Sequence, residues 1–280
     1  MTDVKNDIVL YDVKDGVATL TFNRPERNNA WIPELELRYF DRLEQAGNDE
    51  SARVIVVTGA GKSFCPGADM NVLQGIDSGG GEGGGSRRVR LQSFTQTIPK
   101  PVICAINGAC AGIGLAQVLM ADIRFAAAGV KFTTAFVRRG LIAEHGTNWM
   151  LPRLIGPAKA LDLLLSGRVF LAEEALELGI VNKVFPRETL MAETYAYARD
   201  LAQNCSPKSM ATMKAQVYRH LHMGENEAIV EANQLMVRSF SYMDFKEGVR
   251  SYVERRAPAF EPLPAGYQPI PGQWPVVNAD

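Results

Sequence analysis

The chain has 280 residues, 46% of them hydrophobic, and its 30 basic and 31 acidic residues give a formal net charge of -1. This length and hydrophobic content allow one large α/β domain, or such a domain with a helical extension. The balanced charge argues against nucleic-acid binding, which favours a basic excess or a basic stripe.

Cysteine spacing and apolar runs indicate the cellular context. No two of the four cysteines have C-x-x-C spacing, so the sequence predicts no metal site. The first residues, 1–6, are polar and lack the apolar core of a signal peptide. No apolar run approaches the roughly 20 residues of a membrane span. We therefore expect a cytoplasmic protein that does not associate with membranes.

The first half of the chain alternates strands and helices. Two segments of alternating polarity, 8–13 and 17–22, flank Asp15-Gly16 and predict a β-hairpin. A helix is predicted over 33–46, where Pro33 suits the first turn and Leu35, Tyr39, Leu43 and Ala46 lie on one face. Further predicted elements are buried strands over 53–58, 101–106 and 122–126 and helices over 70–74, 87–98 and 112–120.

The second half is mainly helical, and the last twenty residues contain five prolines. The predicted helices cover 157–166, 172–178, 187–204, 206–222, 224–241 and 244–255, with one short strand over 180–184. The prediction is therefore a core of strand–strand–helix units over 1–200, a helical region over 201–260 and an extended, proline-rich tail over 261–280.

Two glycine-rich segments each match only part of a phosphate-binding motif. The segment TGAGKS ends like a P-loop, but Val56 stands where the first glycine of that motif is required. Gly112 and Gly114 begin a G-x-G-x-x-G fingerprint, but Gln117 replaces its third glycine. These departures argue against nucleotide hydrolysis and against a dinucleotide site.

Two turns between a strand and a helix remain, FCPGAD over 64–69 and NGACAGIG over 107–114. Each leaves unpaired backbone N–H groups at the start of a helix. Two such turns facing each other can bind one developing oxyanion. The glycines alone are explained as well by tight backbone packing, and more often so.

Six segments resemble the crotonase superfamily, which includes the enoyl-CoA hydratases and isomerases. They are RPERNNA (24–30), VIVVTGAGKSFCPGADM (54–70), KPVICAINGACAGIGLA (100–116), LPRLIGPAKALDLLLSGR (151–168), AEEALELGIVNKV (172–184) and DFKEGVRSYVERRAPAF (244–260). The resemblance implies an α/β fold, a spiral of ββα turns with a helical C-terminal trimerisation region. It also implies a homotrimer or hexamer that acts on an acyl-CoA thioester. Coenzyme A is then part of the substrate, and no separate cofactor is expected.

The resemblance assigns the two oxyanion donors to the backbone amides of Ala68 and Ile113. Gly67 and Gly112 precede them and are expected to line the substrate site. Glycine is usual in the family where this chain has Ile113, but only the N–H of that residue is needed. Asp69 is interpreted either as a substrate-binding residue or, better, as the N-cap of the helix that follows.

The carboxylates are where this sequence departs from the family's hydratases. Their two glutamates correspond to Ala116 and to the Ala135-Phe136 pair, so Phe136 is expected to line the acyl site instead. Water addition needs one group to activate water and another to protonate Cα. The usual pair is therefore missing.

Glu144 is the carboxylate that remains, and it is the one acidic residue in the segment 130–151. Some enoyl-CoA isomerases are similar and move a proton with a single carboxylate here, so we interpret Glu144 as the acid/base. The alternative is an N-cap for a helix from Gly146 onward. The neighbouring His145 either assists as a second titratable group or is structural.

Coenzyme A contacts are implied for four further residues. Arg24 and Arg27 correspond to a segment that meets the phosphates in the family. Tyr252 and Arg255 correspond to a C-terminal aromatic and a lysine that often reach the coenzyme A of a neighbouring subunit. Simple solvation of these side chains is the alternative. The glycine-rich segment 75–86 is predicted to be a mobile loop at the acyl entrance.

The leading hypothesis is an enzyme that isomerises an unsaturated acyl-CoA through an enolate. Hydration remains open, as do a hydrolase or lyase reaction of the same superfamily and a non-catalytic acyl-CoA-binding homologue. RNA binding is disfavoured, because the basic residues of the helix over 33–46 are outnumbered by acids.

Overall fold

The computed structural model describes residues 7–77 and 90–270. The strands are β1 (Val9–Lys14), β2 (Val17–Phe22), β3 (Val54–Gly59), β4 (Ser63–Cys65), β5 (Val102–Ile106), β6 (Ala109–Ala111), β7 (Ile123–Ala127), β8 (Lys131–Thr133), β9 (Phe170–Leu171) and β10 (Lys183–Phe185). The helices are α1 (Pro33–Asn48), α2 (Met70–Asp77), α3 (Phe94–Thr97), α4 (Ile113–Met120), α5 (Thr147–Ile155), α6 (Pro157–Ser166), α7 (Ala172–Leu178), α8 (Leu190–Asn204), α9 (Pro207–His220), α10 (Glu225–Ser239) and α11 (Met243–Glu254).

The predicted hairpin is confirmed. Strands β1 and β2 pair antiparallel from Lys14↔Val17 outward. Both turn residues have left-handed backbones, with φ of 53° at Asp15 and 77° at Gly16, which is the conformation that Asp-Gly favours in a two-residue hairpin. Strand β2 then opens a parallel series in the order β2-β3-β5-β7-β10.

The predicted strand–strand–helix units are also confirmed. In β3-β4-α2, β5-β6-α4 and β7-β8-α5, the first strand joins the six-stranded sheet and the second joins a four-stranded sheet ordered β4-β6-β8-β9. The second strands have no signal in the sequence, because two or three residues are too few to show alternation. The turn predicted over 64–69 therefore includes the end of β4, and the turn predicted over 107–114 includes all of β6.

The core lies between the large sheet and the helices on it. Every residue of β3 and of β5 is buried, as expected for parallel strands covered on both faces. The predicted inner face of α1 is confirmed, since Leu35, Tyr39, Leu43 and Ala46 are buried. Helix α4 is buried along its whole length.

Among the described residues, three elements begin three or more residues after their predicted start. Of the helix predicted over 87–98, the described part is helical only over Phe94–Thr97. The strand predicted over 180–184 begins at Lys183. Helix α8 begins at Leu190, because a turn in which Thr189 N donates to Pro186 O precedes it.

The glycine-rich loop prediction needs one correction. Residues 75–77 complete helix α2 and are not part of a loop. The remainder, 78–86, lies outside the described residues, so its predicted mobility stays a prediction.

The part of the proline-rich tail that is described, 261–270, contains no helix or strand. It packs against the body of the protein: Leu263 and Ile270 are buried, and Gly266 N donates to Asn48 Oδ1 at 2.9 Å. Among residues 7–77 and 90–270, no helix is both long enough and apolar enough to cross a bilayer.

An ion-pair cluster connects Asp7 to Arg38 and Arg42 of α1. Burial opposes the ionisation of Asp7, but hydrogen bonds from Arg38, Arg42 and the Val9 backbone outweigh it and lower the pKa of Asp7 to about 2. Since the pKa in the folded protein lies below the unfolded value, the carboxylate stabilises the fold above about pH 4. That stabilisation is lost as the pH falls towards 2.

Asp7→Asn is therefore expected to lower the free energy of unfolding by about 2 kcal/mol near neutral pH. The difference from wild type should shrink by roughly half at pH 3, as measured by urea unfolding at both pH values. Asp12→Asn, on an exposed β1 position, is the control. A deficit of Asp7→Asn that does not change with pH would contradict the ion-pair explanation.

Candidate active site

One cavity of about 630 Å³ contains most of the predicted site. This volume is in the usual range for a small-molecule site. Its lining includes the predicted residues Gly67, Ala68, Gly112, Ile113, Phe136, Glu144 and His145. The cavity is therefore formed by both strand-to-helix turns, by the start of α1 and by the segment that precedes α5.

The two turns approach each other closely through their glycines. Gly67 has a φ of 110° and Gly112 a φ of 50°, and a Cβ on Gly112 would lie 3.9 Å from the Cα of Gly67. The packing interpretation holds as well, because a Cβ on Gly114 would lie 2.3 Å from the Cys65 carbonyl oxygen. Tight packing is thus what brings the turns together.

The Ala68 amide points away from Trp31, its partner in an isolated β-bridge. Trp31 N donates to Gly67 O at 2.8 Å, and Asp69 N donates to Trp31 O at 2.9 Å, which makes Ala68 the partner of Trp31 in a parallel bridge. In that pattern the two flanking residues carry the hydrogen bonds, so the N–H of the bridge residue itself faces the other side.

The Ile113 amide is the first of helix α4. An N–H at this position has no acceptor within its own helix. In the described ranges, neither the Ile113 amide nor the Ala68 amide donates to a backbone carbonyl. Ala68 and Ile113 both line the cavity, each beside the positive N-terminal end of a helix, and amides in such an arrangement can stabilise an oxyanion.

Asp69, the last residue of the turn over 64–69, contacts the backbone of α2 and the side chain of Arg24. Asn71 N donates to Asp69 Oδ1 at 3.1 Å, which supports the N-cap interpretation of Asp69. Arg24 Nη2 lies 3.4 Å from Asp69 Oδ2. Neither residue belongs to the cavity lining, so their predicted contacts with the substrate stay predictions.

Glu144 and His145 lie together in the cavity wall. His145 Nε2 is 2.7 Å from Glu144 Oε1, and the two side chains are 2% and 55% exposed, respectively. The N-cap alternative for Glu144 is wrong, because the N-cap of α5 is Gly146. The geometry therefore leaves the carboxylate at the cavity.

The positions of the two missing glutamates differ in their surroundings. Ala116 is fully buried in α4 and does not line the cavity, whereas Ala135 and Phe136 do. Phe136 is 7% exposed, so an aromatic ring takes the place of an acid in the wall. Both side chains at this position are therefore apolar, and Thr134 and Arg139 beside them also line the cavity.

Sequence reasoning missed four further charged residues in the cavity wall, which are Glu34, Glu36, Arg90 and Arg139. Glu36, on α1, accepts hydrogen bonds from Trp31 Nε1 at 3.0 Å and from Gln92 Nε2 at 3.2 Å. Both Glu36 and Trp31 line the cavity. The only sequence signal was a tryptophan five residues before a glutamate at a helix start, which is too common to be informative.

The buried thiols near the turns are not suited to nucleophilic attack. Burial raises the pKa of Cys65 to about 12 and places the pKa of Cys110 well above its usual value. A thiol needs a lowered pKa to attack a thioester near neutral pH. In the described part of the chain, no group of three or more His, Cys, Asp or Glu side chains is arranged to hold a metal.

The other residues predicted to contact coenzyme A are not part of the cavity lining. Arg27 and Arg255 are exposed, and Tyr252 is 85% exposed. None of the three belongs to the cavity lining. Their predicted roles stay predictions, and for Tyr252 and Arg255 they depend on a neighbouring subunit.

Several known proteins are similar to this chain in sequence and in fold. A 1,2-epoxyphenylacetyl-CoA isomerase from Escherichia coli (strain K12) is 34% identical over 258 residues, which cover 91% of this chain and 98% of the relative. A solved structure of an enoyl-CoA hydratase from Mycobacterium marinum is 49% identical, with a TM-score of 0.66, and covers 79% of this chain and 100% of its own. Another, a probable enoyl-CoA hydratase/isomerase from Mycobacterium abscessus, has a TM-score of 0.84 at 30% identity and covers 91% and 99%.

The family model described as enoyl-CoA hydratase/isomerase matches residues 12–262. That span includes both strand-to-helix turns, the Glu144–His145 segment and all of the helices from α1 to α11. The chain belongs to the enoyl-CoA hydratase/isomerase family of the crotonase superfamily.

Proposed function

We propose that the protein is an acyl-CoA-processing enzyme that moves a double bond along an enoyl-CoA, with Glu144 as the acid/base. The observation that carries this proposal is that one cavity contains Glu144 and the two oxyanion-type amides of Ala68 and Ile113. Gly67, Gly112 and Phe136 complete the part of the wall next to these groups.

The proposed reaction needs one base and one oxyanion site. Glu144 removes a proton from Cα of a 3-enoyl thioester, and the electron pair moves onto the carbonyl oxygen. The amides of Ala68 and Ile113 hold the resulting enolate oxygen, and one such donor typically contributes about 2.7–4 kcal/mol. Glu144 then returns the proton to Cγ, so the product has the same mass as the substrate. The reaction uses no cofactor beyond the coenzyme A of the substrate.

Hydration is the second candidate. It is favoured by the 2.7 Å contact between His145 Nε2 and Glu144 Oε1, which places a second titratable group at the carboxylate. It is also the activity named for the Mycobacterium marinum relative. The replacement of a carboxylate by Ala135 and Phe136 favours isomerisation, because this part of the wall then has no acid to hold a water molecule. Glu36 also lines the cavity, but its carboxylate accepts hydrogen bonds from Trp31 and Gln92.

A panel of 2-enoyl and 3-enoyl-CoAs, followed by chromatography and mass spectrometry, tests the proposal. Conversion of a 3-enoyl-CoA to an isobaric product is expected. A product that has gained one water would mean a hydratase, and release of free coenzyme A would mean a hydrolase. Tight binding with no conversion of any substrate would mean a non-catalytic acyl-CoA-binding homologue.

A homotrimer or a hexamer is the proposed assembly. Large apolar side chains are exposed from α9 to α11: Met213, Val217, Ile229, Val230, Met236, Val237, Phe240, Met243, Phe245, Val249, Tyr252 and Val253. Such a concentration of exposed apolar surface is typical of an interface. Burying it would also allow Tyr252 and Arg255 to reach a neighbouring subunit's coenzyme A.

Sedimentation at micromolar concentration is expected to give three or six times the monomer mass. Val237→Glu, at a position that is 67% exposed in the single chain, should dissociate the assembly, because an interface would bury the new charge without a partner. A monomer mass for the wild-type protein would contradict this assembly and the proposed contact of Arg255 across an interface.

A further inference from the structure

We propose that His145 is a positioning residue, whose imidazole N–H holds the Glu144 carboxylate in the orientation that proton transfer requires. The proposal deepens the proposed function and rests on Glu144 being the acid/base. It assigns no proton transfer to His145, in contrast to the second-group role that hydration would need.

The first support is the difference in burial within this pair. The His145 side chain is 2% exposed, whereas that of Glu144 is 55% exposed, and Nε2 lies 2.7 Å from Oε1. An imidazole that is enclosed on nearly all sides has little freedom to move. A half-exposed glutamate has several rotamers available, so a fixed donor that binds one oxygen restricts the carboxylate.

The second support is the backbone of the turn. His145 has a φ of 58° and Gly146 a φ of 77°, so two successive residues are left-handed. That conformation is uncommon for a residue with a Cβ, and it persists where the surrounding structure enforces it. At His145 this left-handed backbone conformation occurs together with a buried side chain that contacts the preceding residue, Glu144, at the cavity.

The third support links the turn to the oxyanion site. A Cβ on Gly146 would lie 2.5 Å from Met120 Cε, so the turn packs against the last residue of α4. The first residue of the same helix is Ile113, whose amide is one of the two oxyanion donors. A buried helix thus connects the support of the carboxylate to the group that holds the enolate oxygen.

A second histidine–glutamate pair offers a matched control. His220 Nε2 lies 3.0 Å from Glu231 Oε2, with side chains 20% and 17% exposed. Neither residue lines the cavity. Removing this imidazole takes away the same kind of contact without affecting Glu144.

A double-mutant cycle separates positioning from independent catalysis. His145→Leu should lower kcat roughly ten- to a hundred-fold with little change in KM, because misplacement of a reacting group impairs chemistry more than binding. The double variant Glu144→Gln/His145→Leu should be no slower than Glu144→Gln alone, since the imidazole acts only through the carboxylate. His145→Gln, which keeps an N–H donor, should recover most of the loss, and His220→Leu should match wild type.

Each contrary result identifies what has failed. If the double variant loses the product of the two single factors, His145 acts independently and the positioning role is overturned. An unchanged kcat for His145→Leu, with Glu144→Gln impaired, overturns the positioning role alone. A full rate for Glu144→Gln overturns the proposed function. A lowered melting temperature would show that His145→Leu is misfolded. In that case His145→Gln takes its place in the cycle. A loss of kcat in His145→Gln as large as that in Glu144→Gln then overturns the positioning role.

Discussion

Replacing Glu144 by glutamine is expected to lower turnover by a factor of roughly 10² to 10⁴ and to leave acyl-CoA affinity close to wild type. Glutamine keeps the size and hydrogen-bonding ability of the side chain but cannot accept the substrate proton. The amides of Ala68 and Ile113 are not altered, so the thioester carbonyl should still bind. The measurement is steady-state isomerisation of a 3-enoyl-CoA, together with the dissociation constant of an unreactive acyl-CoA.

The melting temperature of Glu144→Gln should be almost unchanged, because Gly146 and not Glu144 occupies the N-cap of α5. Glu231→Gln, in the histidine–glutamate pair outside the cavity, controls for a general loss of a carboxylate. If Glu144→Gln keeps its full rate with a good substrate, the single-carboxylate mechanism is wrong. His145 would then be the other titratable side chain in the same turn to examine.

The long elements and the two strand-to-helix turns were predictable because their signals are local. The hairpin at Asp15-Gly16 depends on two adjacent residues, and the inner face of α1 depends on helical periodicity. The motifs around Ala68 and Ile113 are continuous in the sequence, and the structure brings both into one cavity.

Features that depend on contacts between distant segments were not predictable. Strands β4, β6, β8 and β9 exist because each pairs with a segment far along the chain, and each is too short for a pattern. The hydrogen bond from Trp31 to Glu36 was missed for another reason, since short-range side-chain pairs have no sequence signature. The burial of His145 beside an exposed Glu144 likewise depends on how the turn packs against Met120.

Substituting proline for Ile113 is expected to lower kcat by a factor of about 10² to 10³ while the fold is retained. Proline has no backbone N–H, so the variant removes one oxyanion donor. Because Ile113 is the first residue of α4, proline is compatible with the helix at this position. The loss should fall mainly on kcat, because the donor acts most strongly on the enolate oxygen, which carries more charge than the ground-state carbonyl.

Ile113→Ala is the matched control for this experiment, since it removes the side chain of Ile113 and keeps the amide. The alanine variant should retain a rate close to wild type, apart from a change in KM that reflects the altered cavity wall. If both variants lose the same factor in kcat, the side chain and not the N–H is responsible, and Ile113 is not an oxyanion donor. If the proline variant alone is slow, with a melting temperature near that of the alanine variant, the amide carries the effect. The second strand-to-helix turn would then have a catalytic role in addition to the packing role of Gly114 against Cys65.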